Sequence, residues 1–119
     1  MGRSLRLLVV EDHEDTADLL AELLGARGHV VRIAYTATAA LEISATETFD
    51  IVLSDVGLPD STGYELMEKL SARYAMKGIA LTGWSGEMDV ARGKAAGFSA
   101  HLTKPVSMKN LELTLEQLS

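Results

Sequence analysis

Four short strand-like runs in this 119-residue chain end on residues able to do chemistry. Leu7-Leu8-Val9-Val10 leads into Glu11-Asp12, and Ile51-Val52-Leu53-Ser54 leads into Asp55. Gly78-Ile79-Ala80-Leu81 leads into Thr82, and Ala100-His101-Leu102-Thr103 into Lys104-Pro105. Brought to one rim, the three carboxylates repel, and a hard divalent cation bound through oxygen is the usual relief. A lysine and a hydroxyl beside them are donors suited to a phosphoryl group bearing extra negative charge. Phosphoryl transfer needs mainly positioning and charge neutralisation, and an Asp carboxylate can serve as its nucleophile through an acyl phosphate. Taken singly, each residue has a plainer role. An Asp after a strand often caps a helix, Thr82 reads as a turn residue, and Lys-Pro as a surface loop. Their joint occurrence at four strand ends, in this order, carries the functional reading.

The elements that must position them alternate regularly. Leu7–Val10 is continuous and partly β-branched, as expected of a strand buried on both faces. From about Asp15 to Arg27, Leu19, Leu20, Leu23 and Leu24 form one stripe at helical spacing, which Gly28 ends. Val30–Ala34 reads as a second strand, Thr38–Glu47 as a short Ala-rich helix, and Ile51–Leu53 as a third strand running into Ser54-Asp55. A loop from Val56 to Thr62 precedes a helix marked by Tyr64, Leu66, Met67 and Leu70. Gly78–Leu81 reads as a fourth strand, Met88–Ala96 as a weakly apolar helix closed by Gly97, and Ala100–Thr103 as a fifth strand. Met108, Leu111, Leu115 and Leu118 stripe a last helix. Strands separated by single helices imply an α/β fold: a five-stranded parallel sheet with right-handed crossovers and helices on both faces. Ligands of such sheets bind at the carboxyl ends of the strands, near the switch point in strand order.

Length and composition set limits. The chain suits one domain, residues 1–119 with a core of about 5–118. With 11 basic and 17 acidic residues the formal charge is −6, a poor basis for direct nucleic-acid binding, which draws on clustered Lys and Arg. The absence of cysteine excludes disulfides and thiolate metal sites. No apolar stretch approaches a membrane span. The N-terminal segment reads as neither a signal peptide nor a myristoylation site, since Arg6 stands where Ser or Thr is required. A soluble, cytoplasmic domain with no membrane insertion is expected.

Four stretches carry a specific resemblance: Leu8-Val9-Val10-Glu11-Asp12, Ser54-Asp55-Val56-Gly57-Leu58-Pro59-Asp60, Ala80-Leu81-Thr82-Gly83 and Leu102-Thr103-Lys104-Pro105. Together they resemble the signature segments of response-regulator receiver domains of two-component systems, over roughly Leu5 to Leu118. The resemblance implies a flavodoxin-like (βα)5 three-layer sandwich. It also implies Asp55 as phosphoacceptor, and Mg²⁺ held by Asp12, Asp55 and the Gly57 carbonyl, with Glu11 holding metal-bound water. Thr82 would be the switch hydroxyl and Lys104 a second phosphoryl ligand. The Lys104-Pro105 peptide would be cis. The implied partner is a histidine kinase or histidine phosphotransfer domain, whose phosphohistidine supplies the phosphoryl group.

Gly78-Ile79-Ala80-Leu81-Thr82-Gly83-Trp84 and Ala100-His101-Leu102-Thr103-Lys104-Pro105-Val106 most resemble receivers at the C-terminus of hybrid sensor histidine kinases, ahead of a stand-alone single-domain regulator. Some positions depart from the family pattern. His101 stands where the switch aromatic is expected, Gly57 leaves one side of the site without a side chain, and Leu58 replaces a frequent Met. His13 and His29 read as exposed structural residues. Trp84 is expected to be partly exposed and to overhang the Asp55 site. An activation surface is expected to include the fourth helix, the His101 strand and the fifth helix. Other functions fit less well. A Mg²⁺-dependent Asp-nucleophile phosphatase would carry a second Asp where Gly57 stands, and degenerate receivers usually lose part of the set kept here. A flavin-binding relative would need a phosphate-cradling loop in place of the acidic Glu11-Asp12-His13-Glu14-Asp15, which repels phosphate.

Overall fold

Continuous apolar runs become strands covered on both faces because each successive side chain then has a helix layer to bury against. The computed structural model describes residues 4–83 and 87–119, the last stretch by backbone alone over 87–89. Its elements alternate throughout: β1 (Arg6–Val10), α1 (Glu14–Ala26), β2 (Val30–Ala34), α2 (Ala37–Ser44), β3 (Ile51–Asp55), α3 (Gly63–Arg73), β4 (Lys77–Thr82), α4 (Glu87–Ala96), β5 (Ala100–Thr103) and α5 (Met108–Leu118). The strands form one sheet in the order β2-β1-β3-β4-β5, and every pairing is parallel.

Two apolar layers sandwich this sheet. Leu8, Val10, Val52 and Ala80 face one side and pack with Ala40 of α2, Leu66, Met67 and Leu70 of α3, and Ala96 of α4. Leu7, Val9, Ile51, Leu53, Ile79 and Leu81 face the other, against Leu20 and Leu24 of α1 and Leu111 and Leu115 of α5. Each of these large side chains contributes about 1.5–3 kcal/mol when fully buried. This is the flavodoxin-like three-layer arrangement expected from the sequence.

Turns fall where the chain allows them. Gly28 and Gly97 adopt φ of 92° and 114°, a region that a Cβ disfavours, and so end α1 and α4. Strand limits extend slightly past the apolar runs. Arg6 pairs with Val30 and Lys77 with Ile51, since a polar residue at a strand end loses nothing by joining the ladder. Helix α2 stops at Ser44, short of the expected Glu47. The Glu47 carboxylate instead meets Arg6 at 3.1 Å and Arg32 at 3.2 Å.

Two expectations need correction. The four leucines of α1 do not share one buried stripe: Ala17, Leu20 and Leu24 face the core, while Leu19 is 55% exposed. His29 is buried rather than exposed. Its Nδ1 accepts the Leu5 backbone N–H at 3.2 Å, so the neutral ring carries its proton on Nε2, facing Glu112 Oε1 at 3.8 Å. His13 is exposed as expected and caps α1, its Nδ1 accepting the Thr16 N–H. The expectation for Trp84 lies outside the described residues.

Candidate functional site

The chain leaves β1 toward β2 on one side and returns to β3 on the other, which places the switch point between the carboxyl ends of β1 and β3. Glu11 and Asp12 follow β1 directly, and Asp55 is the last residue of β3. Glu11, Asp12 and Asp55 each present a carboxylate oxygen within 4.8 Å of the others. A set of hard oxygen donors at that spacing fits a hard divalent cation such as Mg²⁺.

Lys104 closes the group from the far side. Its backbone N–H donates to the Thr82 carbonyl at 2.7 Å, and the following peptide to Pro105 is cis. Its ammonium donates to Glu11 Oε1 at 2.8 Å and to Asp55 Oδ2 at 3.0 Å. Glu11 is 1% exposed, and its other oxygen accepts the His13 N–H at 3.3 Å. Asp12 is exposed and Asp55 partly buried, so the carboxylates form a graded set from closed to open.

Charge and burial oppose each other here. Burial pushes the Glu11 carboxyl above its ordinary value, and the adjacent Asp55 carboxylate pushes it further, against the hydrogen bond from Lys104. Burial pulls Lys104 down, but its hydrogen bonds to Glu11 and Asp55 and their charges outweigh this and raise it. The two shifts point to different balances within one pair. Glu11 is the deeper partner and bears the larger loss of hydration, so its burial decides its direction.

The loop after Asp55 is closed at its base. The Gly57 N–H donates to Asp55 Oδ1 at 3.3 Å, Gly57 bridges to Thr62, and the Gly63 N–H donates to the Val56 carbonyl at 2.8 Å. A Cβ on Gly63 would overlap the Asp55 carbonyl oxygen and lie 2.9 Å from Val56 Cα, whereas a Cβ on Gly57 would meet nothing within 4 Å. Helix α3 therefore starts hard against Asp55, and the Gly57 side stays open.

Thr82 ends the neighbouring strand, 3% exposed. His101 lies one strand further out and pairs with Ala80. It lines a crevice of about 40 Å³ with Val90, Gly93 and Lys94 of α4, away from the carboxylates. The structure thus brings Glu11, Asp12, Asp55 and Lys104 together, sets Gly57 and Thr82 beside them, and places His101 at the flank.

A feature not anticipated from the sequence adjoins this group. A groove of about 490 Å³ runs between α1 and the β5–α5 loop, lined by Leu19, Leu20 and Leu23 on one wall and Pro105, Val106 and Met108 on the other. Glu11 and Lys104 also line it. The signal was present in the sequence: Thr16, Leu19 and Leu23 form a second helical stripe, offset from Ala17, Leu20 and Leu24.

The model of the response regulator receiver domain family matches residues 7–116. The chain belongs to that family. The receiver is 35% identical over 114 residues to an uncharacterized 14.6 kDa protein from Leptolyngbya boryana, covering 93% of this chain and 87% of that one. It is 36% identical over 122 residues to the virulence sensor protein BvgS of Bordetella pertussis, covering 96% of this chain and a tenth (10%) of that protein. Among solved structures, a CheY-like receiver domain protein from Methanospirillum hungatei superposes with a TM-score of 0.88 at 35% identity, over 98% of this chain and 94% of the other.

Proposed function

We propose that this receiver takes a phosphoryl group onto Asp55 from a phosphohistidine of a kinase or phosphotransfer partner. The observation that carries the reading is the convergence of Asp55 with Glu11, Asp12 and the Lys104 ammonium at the switch point. An Asp55 carboxylate oxygen bonds to phosphorus as the phosphorus–nitrogen bond of the partner breaks, and that electron pair stays on the departing imidazole. Asp12, Asp55 and the Gly57 carbonyl would hold Mg²⁺, with Glu11 holding metal-bound water, and the ion would supply neutralisation of the phosphoryl oxygens. Lys104 donates to one phosphoryl oxygen and Thr82 to another. The apolar groove supports docking of a partner helix there, since its leucine wall on α1 shares the groove with Lys104, which bonds to Asp55.

Movement of Thr82 onto the phosphoryl group would reach His101 through β4 and β5, and through His101 the α4 crevice. Among the described residues, no helix is long and apolar enough to cross a membrane. The match to a tenth of a sensor protein supports a place within a longer hybrid sensor kinase. Incubation with acetyl phosphate tests the site. The intact mass should rise by one phosphoryl group with Mg²⁺ and stay unchanged with EDTA. Labelling indifferent to EDTA would contradict the cation's part.

A further inference from the structure

Helix α2 begins with more donors than its own cap can satisfy. The first turn of any helix leaves four N–H groups without intrahelical partners. Thr36 Oγ1 accepts one of these, from Ala39 at 3.0 Å, and the turn contains no acidic residue. Asp60 takes the next two from outside the helix. Its Oδ1 accepts the Ala37 N–H at 2.9 Å, and its Oδ2 accepts the Thr38 N–H at 2.9 Å and the Thr38 hydroxyl at 2.6 Å. These bonds hold the Asp60 carboxyl down at about 2.

Asp60 belongs to the loop that stands on Asp55. The base of that loop is tied to itself through the Gly57–Thr62 bridge and the Gly63 N–H. Its far end is tied to α2 through Asp60. Gly57 stands in that base, with its bridge to Thr62 and its N–H on Asp55 Oδ1 at 3.3 Å; a Cβ there would meet nothing within 4 Å, so these backbone bonds and not side-chain packing hold it. The bridge joins Gly57 to its own loop, so its position follows that loop, whose outer end Asp60 ties to α2. Removing the outer tie frees the loop to shift relative to the carboxylates.

We propose that Asp60 is a positioning residue of the metal site, holding the Gly57 backbone in place by capping α2 across the loop. The proposal rests on the reading that Gly57 and the three carboxylates take a divalent cation.

Calorimetric titration of the cation-free protein with Mg²⁺ tests it, alongside amide exchange at Gly57 without Mg²⁺. Asp60→Ala should weaken Mg²⁺ about tenfold, the loss typical when a partner orienting a metal ligand is removed, and should speed exchange at Gly57. Asp60→Asn keeps one accepting oxygen and should lie between, which serves if the alanine variant fails to fold. Thr36→Ala removes the helix's own cap; it should lower the melting temperature while leaving Mg²⁺ affinity and Gly57 exchange as in the wild type. Wild-type affinity and exchange in Asp60→Ala, whatever its stability, would reduce Asp60 to a helix cap and overturn the proposal. Wild-type Mg²⁺ affinity no better than that of Asp12→Ala would instead overturn the cation reading, and this proposal with it.

Discussion

Lys104 and Asp55, 49 positions apart in the chain, are joined by a 3.0 Å bond from ammonium to carboxylate. The same ammonium also reaches Glu11. One side chain thus offsets two carboxylates at the strand ends, in the place where a divalent cation would do the same. Lysine and cation therefore compete for the same negative charge, which gives the site a testable electrostatic balance.

Lys104→Met removes the competing charge while keeping much of the stem's volume. Without Mg²⁺ the variant should lose about 2 kcal/mol in urea unfolding, since a buried carboxylate loses its charged hydrogen-bond partner. Its Mg²⁺ affinity should rise, because three carboxylates then face the cation without a neighbouring ammonium. Acceptance of phosphate should nevertheless fall, since the donor proposed for the phosphoryl oxygens is gone. Weaker Mg²⁺ binding in this variant would contradict the competition.

Glu11 predicts a pH dependence of the opposite sense to that of an ordinary paired carboxylate. Burial raises its folded value above the ordinary 4.5. Its contribution to stability is therefore present below that ordinary value and lost as the pH rises through the raised folded one. Without Mg²⁺, ionising Glu11 above that raised value burdens the fold. Glu11→Gln should melt a few degrees higher than the wild type near neutrality, and the gap should close on acidification. The same change should weaken Mg²⁺ binding. A gap that widens toward acid would show the Lys104 pair outweighing burial.

His29 anchors the opposite end of the sheet. Its Nδ1 is the acceptor for the buried Leu5 N–H at the approach to β1. His29→Ala leaves that donor without a partner, at a cost of about 1–3 kcal/mol. The loss should appear in the urea midpoint, with phosphate acceptance retained, because Asp55 lies at the other end of the strands. A variant as stable as the wild type would remove the histidine from the set of structural anchors.

Strand positions were legible because a strand covered on both faces must be apolar at every residue, as in Leu7–Val10 and Ile51–Leu53. The carboxylates and Lys104 were legible for a related reason: the fold directs whatever follows each strand to one rim. His29 and Asp60 were not. A lone histidine after a glycine has no periodicity to mark it as buried, and its acceptor role depends on a backbone N–H 24 positions away. Asp60 lies within a recognisable loop, yet its function is set by α2, which joins that loop only in the folded chain. Helical spacing alone groups Leu19 with the other three leucines of α1, but a stripe that wide exceeds what the sheet covers, and Leu19 stays exposed. The surplus forms the wall of the groove.

The phosphoacceptor itself is the central assignment. Asp55→Asn keeps the shape of the side chain and removes the nucleophilic carboxylate, leaving Glu11, Asp12 and Lys104 in place. The decisive measurement is the intact mass of wild type and Asp55→Asn after incubation with acetyl phosphate and Mg²⁺. The wild type should gain the mass of one phosphoryl group and the variant none. Full labelling of Asp55→Asn would place the phosphoryl group on another residue and contradict the account.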